Sequence, residues 1–501
     1  MSSHPFHTLS NPYPSTSQDE GIKCVTALVV SQQDLAIASG LLKQLSLLHP
    51  ILKIKPHHRV DVQDGFAIPI HPPPGEDVHE TLRDVLTRLR TAASSTVHTT
   101  DLPLSFFTTK SRTKPETPEQ IIRTTFNTWL ATQPDPLHTL SSSLLASLPK
   151  SYTVYGDLLL FPTTSFRTPE WNSLLTSLTS PLTTFFTTLA TRLKITHIAI
   201  NAPIPLSNPN NDANTLRTPA SLLPLHGDFG PALPLTQSPS PHDLRAAFWT
   251  STTQNHLHQI WAPRYTMFSA GNIKEKARLL ALPSVEAAVT QGRADGRGCA
   301  AVDLYVGIGY FAFSYLKAGV RVVLGWDLNP WSVEGARRGA GKKRWGVDVR
   351  EGGLACLDGE EKREGGVVEA GLQEGTRLVL FCEDNRRACG RLRGLRGVPP
   401  VRHANCGLLP SSKGSWETAV EVLDKGLGGW IHVHENFGVK EIEDKAEMVR
   451  SEIEMLVRSS GAWTKDTVVE VDEVFRVKSY APGVMHCVVD IHIDPRGESS
   501  S

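Results

Sequence analysis

Hydrophobic positions change their spacing repeatedly in the second half of the chain. Short uninterrupted apolar runs, each of strand length, alternate with stretches in which apolar residues recur at helical spacing. The runs are "AAVDLY", "VRVVLGWDL", "RLVLFCEDN", "VRHANCGLL" and "GGWIHVHEN". This alternation after Phe248 predicts an α/β fold with a doubly wound, mostly parallel sheet. The last run, Val468 to Ile493, predicts an antiparallel hairpin around an Ala-Pro-Gly turn.

The first half predicts two smaller units. Cys24 to Leu48 has the pattern of a strand followed by a helix, and Tyr152 to Pro203 alternates strand, helix and strand, which is typical of a small α/β domain that positions a substrate. Turn-forming residues between them predict a linker. The predicted organisation is a disordered lead (1–21), an N-terminal unit (22–97), a linker (98–120), a small α/β domain (121–247), a larger domain (248–495) with an inserted loop (350–375), and a tail (496–501).

Composition narrows the function classes. Acidic and basic residues balance at 51 each, so a nucleic-acid surface must be local. Seven cysteines without a paired spacing argue against a disulfide framework and a zinc knuckle, and for a reducing compartment. No apolar stretch reaches the roughly 18 residues that a membrane span needs, and the first residues lack a signal core. We therefore expect a cytoplasmic protein that does not enter membranes.

The segment "DLYVGIGYF" (Asp303–Phe311) places Gly307 and Gly309 between a buried strand and a helix. Glycines there let a nucleotide-like group approach the first backbone N–H groups of the helix. Asp327 follows about 20 residues later, where this fold puts the carboxylate that binds ribose hydroxyls. The missing third glycine disfavours a dinucleotide and favours adenosine without a pyrophosphate, as in S-adenosylmethionine. The alternative is that Asp327 only caps the next helix.

Two further strand ends carry candidate site residues. Asp384 and Asn385 end the third strand, where they could contact adenine, although Asp-Asn-Arg is also ordinary turn chemistry. "NCGLLPSS" ends the fourth strand on the side where a second substrate would meet the cofactor. It offers Asn405, Pro410 and Ser411, and its Pro-Ser-Ser could instead begin a helix.

Histidine and basic residues allow two more hypotheses. In "HVHEN", His432 and His434 share one strand face; without a third ligand nearby we expect satisfied histidines rather than a metal pair. Three basic runs could be solvated helix faces or a surface for a phosphate backbone. They are Lys274, Lys276 and Arg278; Arg337, Arg338, Lys342, Lys343 and Arg344; and Arg386, Arg387, Arg391, Arg393 and Arg396.

Six motifs in their order resemble one family. "WAPRYTMFSAGNIKEKARLL", "DLYVGIGYF", "EDNRR", "NCGLLPSS", "HVHEN" and "VKSYAPGVMHCVVDI" are together similar to the tRNA wybutosine-synthesizing protein 2 family. The resemblance implies a class I S-adenosylmethionine-dependent methyltransferase-like Rossmann fold and no metal. It implies cofactor contacts at Ser269, Lys276, Asp327, Asp384 and Asn385, and three departures are Asp327 for the usual Glu, Ala270 for Arg and Glu383 for Gly.

The resemblance also implies a reaction. That family moves the α-amino-α-carboxypropyl group of S-adenosylmethionine to C7 of 4-demethylwyosine, beside the anticodon of tRNA(Phe), and releases methylthioadenosine. We expect a monomer that binds the anticodon region, and the sequence identifies no general base. The alternatives are the sister tRNA guanine-N1 methyltransferase and a non-catalytic tRNA-binding module that kept the fold.

Overall fold

The structure is a computed structural model of the 501-residue chain. It describes residues 24–495 with internal gaps at 32–33, 50–51, 53, 60–61, 72–77, 93–96, 104–115, 134–140, 177–181, 202–213, 215, 220–221, 235–236 and 352–369. The predicted lead and tail, and most of the predicted inserted loop, lie outside the described residues. The chain forms two compact units, residues 1–117 and 118–501.

The first unit is a β-α-β-β-α-β arrangement. In chain order its elements are β1 (Cys24–Ser31), α1 (Leu35–Gln44), β2 (Lys55–Arg59), β3 (Val62–Pro69), α2 (Val78–Ala92) and β4 (His98–Pro103). The strands form an antiparallel sheet in the order β2-β3-β1-β4, which is the ferredoxin-like topology. Alternate β1 residues such as Leu28 and Val30 pack with Leu42 of α1 and Leu89 of α2 in one core.

The predicted linker was wrong in its first residues. β4 pairs antiparallel with β1, from Cys24 opposite Pro103 to Val29 opposite His98. The segment "HTTDLP" contains turn formers, but its two threonines are β-branched and suit an edge strand. Pairing with β1 decides its conformation, and a linker prediction from local composition cannot include that partner.

The second unit begins with a small α/β domain. Its helices and strands are α3 (Pro118–Leu130), α4 (Ser141–Ala146), β5 (Thr153–Tyr155), β6 (Leu158–Phe161), α5 (Pro169–Thr176), α6 (Leu182–Leu193), β7 (His197–Ile200) and β8 (Leu223–His226). The sheet order is β5-β6-β7-β8, with β6 and β7 parallel. Phe126, Trp171, Phe185 and Phe186 fill the core against the sheet. The predicted strand, helix and strand are present, with the first strand divided into β5 and β6 and the described helical residues assigned to α5 and α6.

The larger domain follows, and its sheet holds the candidate site. Its elements are α7 (Pro241–Ala246), β9 (Thr250–Gln254), β10 (Leu257–Trp261), α8 (Ile273–Leu279), α9 (Pro283–Ala294), β11 (Ala300–Asp303), α10 (Ala312–Ala318), β12 (Val322–Asp327), α11 (Pro330–Lys342), β13 (Gly346–Glu351), β14 (Ala370–Gly371), β15 (Thr376–Cys382), α12 (Ala388–Arg393), β16 (Leu395–Arg396), β17 (Val401–Cys406), α13 (Trp416–Val422), β18 (Gly429–Gly438), α14 (Ile442–Ser459), β19 (Val468–Ala481) and β20 (Val484–Asp494).

Among the described residues the main sheet has eight strands in the order β13-β15-β12-β11-β17-β18-β20-β19. The strands from β13 to β18 are parallel, and β20 and β19 add the antiparallel hairpin predicted from the sequence. β11 and β17 are completely buried, as expected for central strands covered on both faces. The carboxyl ends of the parallel strands lie along one edge, where this fold binds ligands. No helix in the described part of the chain is long and apolar enough to cross a membrane.

Candidate active site

The turn after β11 has the shape that its glycines predict. Gly307 and Gly309 have φ values of 52° and 87°, in the left-handed region that favours glycine. A Cβ atom on Gly309 would lie 2.4 Å from the ring of Phe313, so a side chain there would force this buried ring to shift. Both glycines are therefore required by the local geometry, independently of any ligand.

Asp327 joins the glycine turn to the end of β12. Its Oδ2 accepts a hydrogen bond of 2.9 Å from the N–H of Gly307, and its Oδ1 accepts one of 2.8 Å from the N–H of Asn329. Burial raises the pKa of Asp327 to about 6. The helix cap proposed as an alternative belongs to another residue, because Asn329 itself accepts from the N–H of Trp331. Asp327 therefore lies at the glycine turn, where the sequence placed it.

Asp384 and Asn385 lie at the neighbouring strand end. The side chain of Asn385 donates to the carbonyl of Leu304 at 2.8 Å, directly before the glycine turn. Asp384 accepts from the N–H of Arg386 at 2.8 Å and pairs with its guanidinium at 2.7 Å. This hydrogen-bonded arginine lowers the pKa of Asp384, which stays ionised. The turn interpretation of Asp-Asn-Arg is thus correct, and it coexists with a position beside the glycine turn.

Ser269 and Lys276 both contact Tyr310, which follows the glycine turn. The N–H of Ser269 donates to the hydroxyl of Tyr310 at 3.0 Å. The ammonium of Lys276 lies 5.4 Å from the centroid of the Tyr310 ring and donates at 2.8 Å to the side-chain oxygen of Gln259. A second hydrogen bond joins Lys276 to Gln254. Because burial removes water from the charged amine, the pKa of Lys276 falls to about 7.

The substrate-side candidates are held by β11 and β18. The amide of Asn405 donates to Asp303 Oδ1 at 3.3 Å, and burial raises the pKa of Asp303 to about 7. Glu435 Oε1 accepts from the Ser411 hydroxyl at 2.8 Å and from the Ser412 N–H at 2.7 Å. Asn405, at the end of β17, and the loop that follows it as far as Ser412 are therefore held by acidic side chains of the neighbouring strands. Ser412 directly precedes a 3-10 helix, Lys413–Ser415, so the alternative that Pro-Ser-Ser begins the next helix is also correct.

Sequence reasoning missed two residues that border this loop. The guanidinium of Arg217, from the small α/β domain, donates to the carbonyl of Leu409 at 2.6 Å. Asn436 donates its N–H to the carbonyl of Pro410 at 3.1 Å. Arg217 lies 192 residues from its partner, so no local pattern could reveal the contact. Asn436 belongs to "HVHEN" but was not singled out.

In the basic run around Lys274, only Lys274 is exposed, and the burial of Lys276 and Arg278 contradicts their candidacy for phosphate contacts. Arg278 pairs with Glu275 at 2.8 Å and with Asp490 at 2.6 Å. Lys276 is only 2% exposed. In the second run, the guanidinium of Arg338 pairs with Glu334 and lies over the ring of Trp249, so it already has partners within the protein. Helical charge runs need not face solvent when a sheet supplies opposite charges.

Several buried histidines of the main sheet form hydrogen bonds with one another and with Asp490. His432 Nδ1 lies 2.8 Å from Asp490 Oδ1, and its Nε2 lies 3.0 Å from His403 Nδ1. Although burial opposes it, the neighbouring His432 and Arg278 lower the pKa of Asp490 to about 2. His432 is thus satisfied as predicted, but the same prediction was wrong for His434, because its Nε2 has no hydrogen-bond partner among the described residues. His434 faces a different partner, His486, at 3.0 Å.

The main sheet is parallel and doubly wound, with a glycine turn after β11, a carboxylate at the end of β12 and polar side chains at the end of β15. This arrangement defines the class of S-adenosylmethionine-dependent methyltransferase-like enzymes. The chain belongs to the tRNA wybutosine-synthesizing protein 2 family. It is 37% identical over 358 residues to tRNA wybutosine-synthesizing protein 2 of Schizosaccharomyces pombe, covering 71% of this chain and 75% of that protein. The protein of the same name from Saccharomyces cerevisiae is 30% identical, with 70% and 76% covered.

The chain was also compared with protein-family models and with solved structures. No family model matches the chain. Among solved structures, P. horikoshii TYW2 in complex with MeSAdo has a TM-score of 0.42 and 17% identity, covering 72% of this chain and 97% of that one. The complex of aTrm5 and tRNALeu has a TM-score of 0.45 and 14% identity, covering 93% and 99%.

Proposed function

We propose that the protein transfers the α-amino-α-carboxypropyl group of S-adenosylmethionine to C7 of 4-demethylwyosine at position 37 of tRNA(Phe), releasing methylthioadenosine. The observation that carries this proposal is family membership, at 37% identity over most of both chains. The convergence of three strand ends on one glycine turn supports it, because that arrangement suits an adenosine without a pyrophosphate.

The cofactor contacts are assigned to residues that already surround the turn. Asp327 would bind the ribose hydroxyls, and Asp384 with Asn385 would face the adenine. Each oxygen of Asp327 accepts one backbone N–H and keeps capacity for a second hydrogen bond. Ser269 and Lys276 would bind the methionine end. Glu383, where the family usually has Gly, adds a negative charge next to Asp384. Arg391 neutralises this charge, because its guanidinium pairs with the Glu383 carboxylate at 2.6 Å.

The choice of transferred group follows from positioning. A sulfonium has three electrophilic carbons, and the carbon that reacts is the one held in line with the nucleophile. Here the substrate side is Asn405 at the end of β17 and the following loop with Pro410 and Ser411. Glu435 accepts a hydrogen bond from Ser411 at 2.8 Å, and Arg217 donates one to Leu409 at 2.6 Å. A loop anchored from both domains gives the acceptor base a defined position relative to the cofactor.

The anticodon region of tRNA(Phe) is the proposed partner, and a cytoplasmic monomer is the proposed state. Lys342 on α11 and Arg386 are exposed. Arg337 is 49% exposed and also pairs with Glu334 at 2.6 Å. Neutralising Arg337, Lys342 and Lys343 together should flatten the salt dependence of tRNA binding, because each lost phosphate contact removes released counterions. Cofactor affinity should be unchanged, and an unaltered salt slope would contradict the assignment.

A double-label experiment tests the function. The protein is incubated with tRNA(Phe) carrying 4-demethylwyosine and with S-adenosylmethionine labelled either in the carboxyl group or in the methyl group. The proposal expects carboxyl label in the tRNA and methyl label in methylthioadenosine. Methyl label in the tRNA would indicate a methyltransferase. Absence of saturable cofactor binding by calorimetry would indicate a tRNA-binding module.

A further inference from the structure

Two buried histidines face each other at one end of the antiparallel hairpin. His434 Nδ1 on β18 lies 3.0 Å from His486 Nε2 on β20, and the ring centroids are 5.2 Å apart. The side chains are 1% and 0% exposed. Within the described part of the chain, the outer nitrogens, His434 Nε2 and His486 Nδ1, have no hydrogen-bond partner. Buried polar atoms are usually paired, so this pair has unused hydrogen-bonding capacity.

The pair borders both loops of the candidate active site. β17 is paired with β18 only as far as Cys406 opposite Val433, so His434 is the first residue beyond that carboxyl end. The ring of Phe311, at the end of the glycine turn, has its centroid 4.8 Å from that of His434. His486 is opposite Asn436, whose N–H holds the carbonyl of Pro410. The imidazoles therefore lie between the cofactor side and the substrate side.

The hydrogen bond between the rings makes their tautomers interdependent. In a neutral pair, one inner nitrogen donates to the other, so one outer nitrogen carries a proton and the other a lone pair. When one outer nitrogen takes up a proton, the inner proton can move to the other ring, and that ring can release the proton from its own outer nitrogen. The protonated and unprotonated outer nitrogens are then exchanged. Burial lowers the pKa of His434 well below its ordinary value and that of His486 to about 4. The rings are therefore neutral near pH 7, and a lone pair is always present.

We propose that the His434–His486 pair accepts the proton that leaves the acceptor carbon. This inference rests on the proposed function. Transfer to C7 forms a bond from C7 to the γ-carbon, and the bond from that carbon to sulfur breaks with its electron pair left on sulfur. The positive charge then resides on the tricyclic base, which still carries hydrogen at C7. The electron pair of that C–H bond returns to the ring, and the proton binds the outer imidazole nitrogen that holds the lone pair. The inner proton shifts across the hydrogen bond, and the proton on the other outer nitrogen passes to solvent water.

Deuterium at C7 of the acceptor base provides the test. In the parent protein, proton loss follows carbon–carbon bond formation quickly, so kcat should be the same with hydrogen and deuterium. His434→Asn and His486→Asn should each lower kcat by about 100-fold or more, a usual contribution of a positioned base. Each should also reveal a primary isotope effect, because proton loss becomes the slow step. KM values should change little.

Matched controls separate this role from a structural one. His492→Asn makes the same change on the same strand, where the ring stacks on Trp430 at 4.5 Å, and it should leave kcat unchanged without an isotope effect. Asp303→Asn removes a carboxylate that also has an unpartnered buried oxygen near the turn. If either active-site histidine variant keeps parental kcat, or loses rate without an isotope effect, the inference is overturned. An isotope effect in Asp303→Asn alone would assign the proton to Asp303.

This experiment distinguishes two kinds of failure. If the parent protein transfers no carboxyl label to the tRNA, the proposed function fails. If the parent transfers label and the histidine variants behave like His492→Asn, only the assignment of the proton acceptor fails. Should one variant lose its folded fluorescence, the other still reports, and His434→Gln offers a further substitution at the position nearer Phe311.

Discussion

Replacing Arg278 by methionine tests the buried charge network beneath α8. The Arg278 side chain is 10% exposed and bonds both oxygens of Glu275 at 2.8 Å and both oxygens of Asp490 at 2.6 and 3.2 Å. The carboxylates are 0% and 1% exposed. Methionine keeps the aliphatic volume and removes the cation, so the buried carboxylate of Glu275 loses its partner, whereas that of Asp490 keeps its contact with His432. Breaking a buried ion pair in this way costs about 3–5 kcal/mol of unfolding free energy.

Tryptophan fluorescence during urea unfolding is a suitable assay, because all ten tryptophans lie in the second unit, between Trp129 and Trp463. The loss should depend on pH. Burial already raises the pKa of Glu275 in the folded protein, and loss of the arginine, which opposes that shift, would raise it further. The folded protein then binds more protons, and its stability decreases as pH rises. We therefore expect a larger loss at pH 8 than at pH 5.

The matched control is Arg297→Met, which removes an arginine that pairs at 2.8 Å with Asp295 on the surface, where its side chain is 53% exposed. Exposed ion pairs contribute little, so its effect should be much smaller. A loss for Arg278→Met no greater than for Arg297→Met, or one that grows as pH falls, would refute the account of a buried, mutually dependent charge network.

Three further predictions concern the candidate site. Gly309→Ala should weaken cofactor binding about tenfold or more by calorimetry, because the new Cβ would lie 2.4 Å from the Phe313 ring at a φ of 87°; unchanged affinity would show that the turn adapts. Asp327→Ala should weaken cofactor binding by about 1.5–3 kcal/mol. Since the pKa of this carboxyl is about 6, affinity should also fall as pH drops from 7.5 to 5, and a flat profile would contradict the ribose assignment. Glu435→Ala should raise KM for tRNA by freeing Ser412, whereas Glu435→Gln, which keeps an acceptor, should not; equal effects would contradict the positioning role.

Periodicity predicted much of the fold because burial on both sides of a parallel strand leaves a continuous apolar run. The strands through Val302, Leu324, Leu380, Ala404 and Ile431 are such runs, and each is buried in the main sheet. The glycine turn was also predictable, since a local backbone requirement leaves its mark in the local sequence. β4 was not, because its threonines and prolines become a strand only by pairing with β1.

The sequence by itself determined the strands through Val302, Leu324, Leu380, Ala404 and Ile431 with the closing hairpin, the glycine turn and the positions of the acidic residues at the strand ends, because each follows from spacing over a few residues. Only the tertiary structure decided which charges meet. It buried Arg278 between Glu275 and Asp490, and it set His434 against His486, 52 residues away. Such pairings arise when distant strands become neighbours, and burial then changes both the pKa and the accessibility of side chains that look alike in the sequence.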